Sequence, residues 1–411
     1  MKKTVYIINE NSTAAASGIG TYINEYIHCL RQLDYSIIRI ELNTELPEFT
    51  CIEEDGIKRY AFPYSENMII SPKYYKRVAC IFRLCIKDSV QNIFHINYMH
   101  SEPLVKYLRL YFPLSKVKLT IHYMDWTWLL KGNIQEYKKV IQLEDDKIEA
   151  DSIPQKVLIY HEELKNISKK VDRIVVLSKD SFKCMNEIVG IPNDKIEIIP
   201  NGLQDCYSVM SIDDKNELRK KYHVLQDEKL FLYVGRFDKM KGILNLLNAF
   251  QIVIKSYPNS RLIIAGPIDN LPDEIMKAAK DVWAKITLTG KLSAKELSVW
   301  YKIADIGIMA SYAEQCSYVG IEMMMYGMPV VASDSFGVRN MFNNHNAIIA
   351  PIIDYEVGTF YSNNLATSMI RLLSDRALSV DMAKKSRKTY ESFYTIDKMR
   401  VKYEKLLMSL R

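Results

Sequence analysis

Short apolar runs alternate with longer, helically periodic stretches along most of this 411-residue chain. In the first half, "TVYII", "YSIIRIEL", "NIFHIN", "VKLTIH", "RIVVLS" and "KIEIIP" read as strands, with helices at 20–32, 72–87 and 155–169 between them. Strand–helix alternation of this kind predicts parallel sheets covered on both faces. The pattern breaks around residues 203–228, where "QDCYSVMSIDDKNELRKKYHVLQDEK" predicts a polar, helix-forming link. It resumes with "LFLYVG", "RLIIAG", "KITLTG", "ADIGIMA" and "PVVAS".

The expectation is an α/β protein of two Rossmann-like, doubly wound domains, residues 1–204 and 205–385. Residues 386–411 should add a C-terminal helix that packs back toward the N-terminal domain, with Met399, Tyr403, Leu406 and Leu407 on one stripe. Ligands of doubly wound sheets sit at the carboxyl ends of the strands, so the cleft between two such domains is the expected active site.

Composition narrows the function. A net charge of +6 fits anionic small molecules or an acidic membrane surface and is too weak to argue for nucleic acid. Seven cysteines without a C-x-x-C pair suggest neither a disulfide framework nor a zinc site. Met1-Lys-Lys leads directly into the first strand, and no apolar run nears about 18 residues, so the expected compartment is the cytoplasm. Glycine is scarce, at 15 residues, yet Gly18, Gly20, Gly235, Gly242, Gly266, Gly290 and Gly337 fall where apolar runs end or helices begin. Turns of that kind let backbone approach a phosphate, although βα turns need glycine in any case.

Three stretches carry candidate chemistry. In "GRFDKMKG", Arg236 and Lys241 emerge at a strand's carboxyl end, where two cations could neutralise a diphosphate or simply be surface charge. In "AEQCSYVGIEMMMYGMPVVAS", Glu314 precedes a turn and Glu322 follows it, on a helix expected to start near Val319. The helix N-terminus favours an anion, and Glu322, placed in the first turn, either grips vicinal hydroxyls or caps the helix. In "LTIHYMDWTW", His122 ends a strand, as a cleft residue or a satisfied core histidine, and Asp125 and Trp126 follow as candidates for orienting an acceptor. His95 ends another strand in "NIFHINYMH". The acidic runs at 144–146 and 213–214 sit in polar helical surroundings and read as solvated faces, so no metal ligands are assigned.

With "SGIGTY", "IIPNGL", "LYVGRFDKMKG", "LIIAG", "LTGKLSAKELSVWYKIADIGIMAS", Glu314-x₇-Glu322 and "YGMPVVAS" in order, the chain resembles retaining family-4 glycosyltransferases of the GT-B architecture. The likeness implies that Arg236 and Lys241 contact the donor diphosphate and stabilise it as it leaves. Glu322 would hold the ribose 2′- and 3′-hydroxyls, while Glu314 and His122 would reach the transferred sugar. Gly18, Gly20, Gly235, Lys291, Leu292, Ser317, Tyr318 and Val319 would line the nucleotide site. It further implies same-face displacement in which the leaving phosphate oxygen takes the acceptor's proton, without cofactor or metal.

There are departures. The family's usual Glu-Gly-Phe-Gly is Glu314-Gln315-Cys316-Ser317 here, Ala310 replaces a common proline, and the acidic residue of the next loop is lost in Phe336-Gly337-Val338-Arg339-Asn340. These bear on which sugar fits. The expected partners are a nucleotide-sugar donor, with UDP-sugars first, and a glycan, lipid-linked or peptide acceptor. Ser71–Lys87, with Lys76, Arg83 and Lys87 near one face, raises peripheral membrane contact beside a plain packed helix. A sugar-nucleotide epimerase and a non-catalytic GT-B partner that binds a glycosylated protein are the competing readings.

Overall fold

The computed structural model describes residues 3–11, 18–64, 72–98, 100–144, 148–267, 273–355 and 358–410. Ser17, Ser71, Asp145 and Asp146, which belong to motifs above, lie outside the described residues. The chain divides into two compact units, the first from Met1–Leu129, Gln135–Gly202 and Ile396–Arg411, the second from Leu130–Ile134 and Leu203–Thr395.

The first unit is built on eight strands: β1 (Thr4–Glu10), β2 (Ser36–Thr44), β3 (Thr50–Glu54), β4 (Ile57–Pro63), β5 (Asn92–Ile96), β6 (Lys116–Ile121), β7 (Arg173–Val176) and β8 (Ile196–Ile198). Their order is β3-β4-β2-β1-β5-β6-β7-β8. All pairings are parallel except β3 with β4. Every residue of β5 is buried, Asn92 and His95 included, so it has no exposed face to alternate with.

The β3–β4 hairpin has no counterpart among the expected strands. Glu54 pairs with Ile57, leaving Asp55 and Gly56 as a two-residue loop with φ of 49° and 73°. Positive φ at both positions is the type I′ arrangement, for which Asp-Gly is a preferred pair.

In helix Ile396–Ser409 the expected stripe of Met399, Tyr403, Leu406 and Leu407 is buried. The Tyr403 hydroxyl lies 2.5 Å from that of Tyr22, on helix Gly18–Gln32. Lys118, fully buried on β6, donates to the Tyr26 hydroxyl at 3.1 Å, and its ammonium sits 4.4 Å from the ring centroids of Tyr26 and Tyr403. Residues 386–395 differ from the expected partition. They complete helix Arg376–Phe393 and its cap in the second unit, and the chain returns to the first only at Ile396.

The second unit has six parallel strands: β9 (Lys229–Val234), β10 (Ser260–Ala265), β11 (Ile286–Gly290), β12 (Ile306–Met309), β13 (Val330–Ser333) and β14 (Ile348–Ala350). Their order is β11-β10-β9-β12-β13-β14. The chain winds outward from β9 through β10 to β11, then resumes on the other side of β9 with β12. The winding therefore reverses between β9 and β12. At such a switch point the connections from two neighbouring strands run to opposite sides, and ligands of doubly wound sheets bind at the carboxyl edge there.

Residues Leu130–Ile134 are counted with this unit. Lys131 donates to the Tyr355 carbonyl and lies 5.5 Å over the Tyr312 ring. Gly132, at φ 71°, fits where an added Cβ would be 2.6 Å from the Tyr312 carbonyl oxygen.

Candidate donor-binding site

The loops leaving β9 and β12 meet at the switch point. After β9, Asp238 caps a short turn, Lys239–Lys241, by accepting from the Lys241 amide at 3.0 Å, and it pairs with Arg236 at 3.2 Å. Gly242 follows at φ 68°, so close to the β12 loop that a Cβ would stand 2.1 Å from the Ala310 carbonyl oxygen. Only glycine satisfies both the left-handed backbone and that approach. The two loops are also tied by the Tyr312 amide donating to the Met240 carbonyl at 2.8 Å.

This packing delivers Lys241 to Glu314. The ammonium is 2.5 Å from Glu314 Oε1, with side-chain exposures of 26% and 14%. The Ser311 hydroxyl donates to the same oxygen at 2.9 Å. Both contacts fall on Oε1, so the carboxylate is oriented by a cation and a hydroxyl together.

The loop after β13 supports Glu314 from behind. The Glu314 amide donates to the Phe336 carbonyl at 2.9 Å, and Ser333 and Ser335 both donate to the Ser311 carbonyl, at 2.6 and 2.7 Å. Gly337 has φ 77°, and a Cβ there would lie 1.6 Å from the Glu314 carbonyl oxygen. The 336–340 stretch thus has a structural task in this protein, although it lacks the acidic residue of the resemblance.

Helix Tyr318–Met325 starts one residue earlier than expected, and Ser317 caps it by accepting from the Gly320 amide at 3.4 Å. Glu322 is consequently the fifth helical residue, in the second turn rather than the first, and does not cap the helix. Its Oε2 accepts a 2.6 Å hydrogen bond from the Tyr301 hydroxyl. Burial pushes the Glu322 carboxyl up to about 7, and the Tyr301 bond opposes part of that rise. Tyr318 is buried and Val319 half-buried in the first turn. Lys291 is exposed and Leu292 half-buried on the loop after β11, at the same carboxyl edge. Gly235 directly follows β9, and Gly266 packs onto it so tightly that a Cβ would be 2.0 Å from the Gly235 carbonyl oxygen.

The remaining candidates belong to the first unit. Gly18 and Gly20 are in the first turn of helix Gly18–Gln32. His122 follows β6, half-buried, with Nε2 3.1 Å from Asn97 Oδ1 and its ring edge-on to Tyr22 at 4.5 Å. Burial, and then the nearby Lys118, push its pKa down to about 3, so it is a neutral hydrogen-bonding group at pH 7. Asn97, which directly follows β5 at the first unit's own reversal between β1 and β5, was not among the expected residues.

Trp126 does not serve an acceptor. It is 2% exposed and stacks on Tyr137 at 4.4 Å within 3° of parallel. Asp125 instead begins a short helix and faces His100 at 3.5 Å, which with Glu163 raises that imidazole to about 9. His95 is fully buried, with Nε2 2.7 Å from the Thr120 hydroxyl and its ring edge-on to Tyr22 and Tyr26, so it is a core histidine. On helix Pro72–Cys85, Val78 and Phe82 are spent on the core, while Lys76, Arg83 and the following Lys87 are exposed.

The sequence model of the family "Glycosyl transferases group 1" matches residues 214–389. An uncharacterized glycosyltransferase of Methanocaldococcus jannaschii is 29% identical over 251 residues, which span 58% of this chain and 61% of that protein's length. Among solved structures, sucrose-phosphate synthase from Thermosynechococcus elongatus superposes with a TM-score of 0.78 at 20% identity, over 100% of this chain and 99% of its own. The Anabaena protein HepE, solved in complex with UDP-glucose, gives 0.71 at 12% identity, over 99% and 100% of the two chains. The fold is GT-B. Residues 214–389 are thus similar to the glycosyl transferases group 1 domain, on a chain whose fold is GT-B.

Proposed function

We propose that this chain is a retaining glycosyltransferase that moves a sugar from a nucleotide-sugar, a UDP-sugar first, to a hydroxyl acceptor in glycan or glycolipid synthesis. The observation that carries this reading is the meeting of the Arg236–Lys241 loop with the Glu314 loop at the switch point, where Lys241 and Glu314 are 2.5 Å apart. A departing nucleoside diphosphate gains negative charge and the transferred sugar gains positive charge. A cation and a carboxylate fixed side by side suit those two changes, and being preorganised they act more strongly on the transition state than on the ground state.

Arg236 and Lys241 take the diphosphate, Glu314 the sugar and Glu322 the ribose; Gly18, Gly20 and His122 keep the roles that the resemblance implies. The UDP-glucose complex of the Anabaena relative supports a UDP-sugar donor. Positive charge from side chains supports a reaction that needs neither divalent metal nor cofactor. The acceptor is a glycan, a lipid-linked glycan or a peptide, and the enzyme acts in the cytoplasm. Among the described residues no helix is long and apolar enough to cross a membrane. Membrane contact would be peripheral and electrostatic, through the exposed Lys76, Arg83 and Lys87, because Val78 and Phe82 of their helix are already packed in the core.

A thermal-shift screen with UDP, GDP, ADP and their sugars tests the reading, since a ligand of the native state raises the melting temperature by mass action. One nucleotide family should stabilise the protein, and its sugar form should be consumed when acceptors are added. No shift with any of them would refute the donor assignment.

A further inference from the structure

We propose that Tyr301 is a positioning residue for the donor's ribose, fixing the Glu322 carboxylate so that the nucleotide, and not the transferred sugar, is what it helps to bind. This rests on the ribose role given to Glu322 above. Tyr301 is 4% exposed on helix Ala294–Ile303, and its hydroxyl donates to Glu322 Oε2 at 2.6 Å. Its ring is stacked on Tyr326 at 5.2 Å and 15°, and Tyr326 is met edge-on by Tyr207 at 5.9 Å. The phenol is thus clamped by packing. Its hydroxyl engages one carboxylate oxygen and leaves Oε1 to face a diol.

The surroundings make that hydroxyl matter. Besides Tyr301, the Tyr326 phenol, raised mainly by burial, is near enough to feel the Glu322 charge, which helps to raise it, and its hydroxyl is 3.5 Å from the Cys206 sulfur. Helix Arg376–Phe393 packs against the Glu322 helix and brings Arg387. That guanidinium is committed to Asp205 at 2.5 Å, Glu391 at 2.7 Å and the Met325 carbonyl at 2.7 Å. A carboxylate accepts hydroxyls best when ionised, and burial works against ionisation here. The Tyr301 hydrogen bond favours the charged form, so removing it raises the pH at which Glu322 ionises.

The test is calorimetry from pH 5.5 to 9 with UDP, GDP and ADP, using the tightest of the three and its 2′-deoxy form, on wild type, Tyr301→Phe and Glu322→Gln. The Tyr301→Phe variant should bind about tenfold more weakly at pH 7, in line with loss of one hydrogen bond to a charged group. Its affinity should recover toward wild type above pH 8, and kcat at saturating donor should stay within about twofold, as expected for uniform binding. The 2′-deoxy nucleotide should cost wild type more than it costs Tyr301→Phe. Unchanged affinity and pH profile in Tyr301→Phe, additive losses with the 2′-deoxy nucleotide, or a fall in kcat alone would overturn the proposal. If Glu322→Gln itself binds the nucleotide as wild type does, the ribose role of Glu322 fails instead. Binding of none of the three nucleotides would refute the donor reading as a whole.

Discussion

Breaking the Lys241–Glu314 pair from either side should give opposite results for the free nucleotide. In Lys241→Ala the diphosphate loses a cation, and it also meets Glu314 without its 2.5 Å partner. One hydrogen bond to a charged group is worth about 1.5–3 kcal/mol, so nucleotide affinity should fall roughly 10–150-fold. Transfer should fall about 10²–10³-fold, as when one donor to the transition-state charge is removed. In Glu314→Gln the cation remains and is released from its partner, so nucleotide affinity should hold or rise. Transfer should still drop roughly 10–150-fold, because the lost bond is made to the sugar as charge develops on it.

The double variant should therefore bind nucleotide better than Lys241→Ala alone, with a coupling of at least about 0.5 kcal/mol, the scale expected for residues in contact. Calorimetry with UDP alongside initial rates measures all four corners. Additive binding losses, or equal loss of nucleotide affinity in the two single variants, would refute the division of labour drawn between the pair.

Three further outcomes are expected. Gly337→Ala must move a Cβ off the Glu314 carbonyl at 1.6 Å and hold φ 77°, so it should lower the melting temperature and cut transfer more than nucleotide binding; wild-type kinetics would contradict the supporting role of that loop. Because the Glu322 carboxyl titrates near 7 in the folded protein and near 4.5 unfolded, the unliganded protein should lose stability as pH rises from 4.5 to 7. Melting curves should then show Glu322→Gln gaining on wild type across that window, and a constant difference would count against burial as the cause. Dialysis against EDTA should leave the transfer rate nearly unchanged, whereas complete loss restored by Mg²⁺ or Mn²⁺ would replace Arg236 and Lys241 as the source of positive charge.

Where function was legible in the sequence, it was carried by local chemistry. The apolar runs marked β1, β2 and β5 to β13, most plainly where a strand such as β1, β9 or β12 is buried on both faces and leaves little choice of side chain. The glycines after β9 and around 337 marked backbone that a side chain would obstruct. The stripe of Met399, Tyr403, Leu406 and Leu407 gave the terminal helix its buried face. The β3–β4 hairpin was legible too, through Asp55-Gly56, but the short polar β3 masked the turn signal. Ser317, rather than Glu322, was the available cap, and reading it so would have put Glu322 in the second turn.

Partnerships between distant residues were not legible. Lys241 and Glu314 stand 73 positions apart and meet because β12 lies beside β9, a neighbour relation set by how the sheet reverses its winding. Tyr301 reaches Glu322 from the neighbouring helix, while His95 near the end of β5 and Trp126 on the short helix after β6 turn into the core instead. Periodicity reports which face of an element is buried. It carries no information on which buried neighbour waits there, because that depends on strand order and side-chain packing that form only when the whole unit closes.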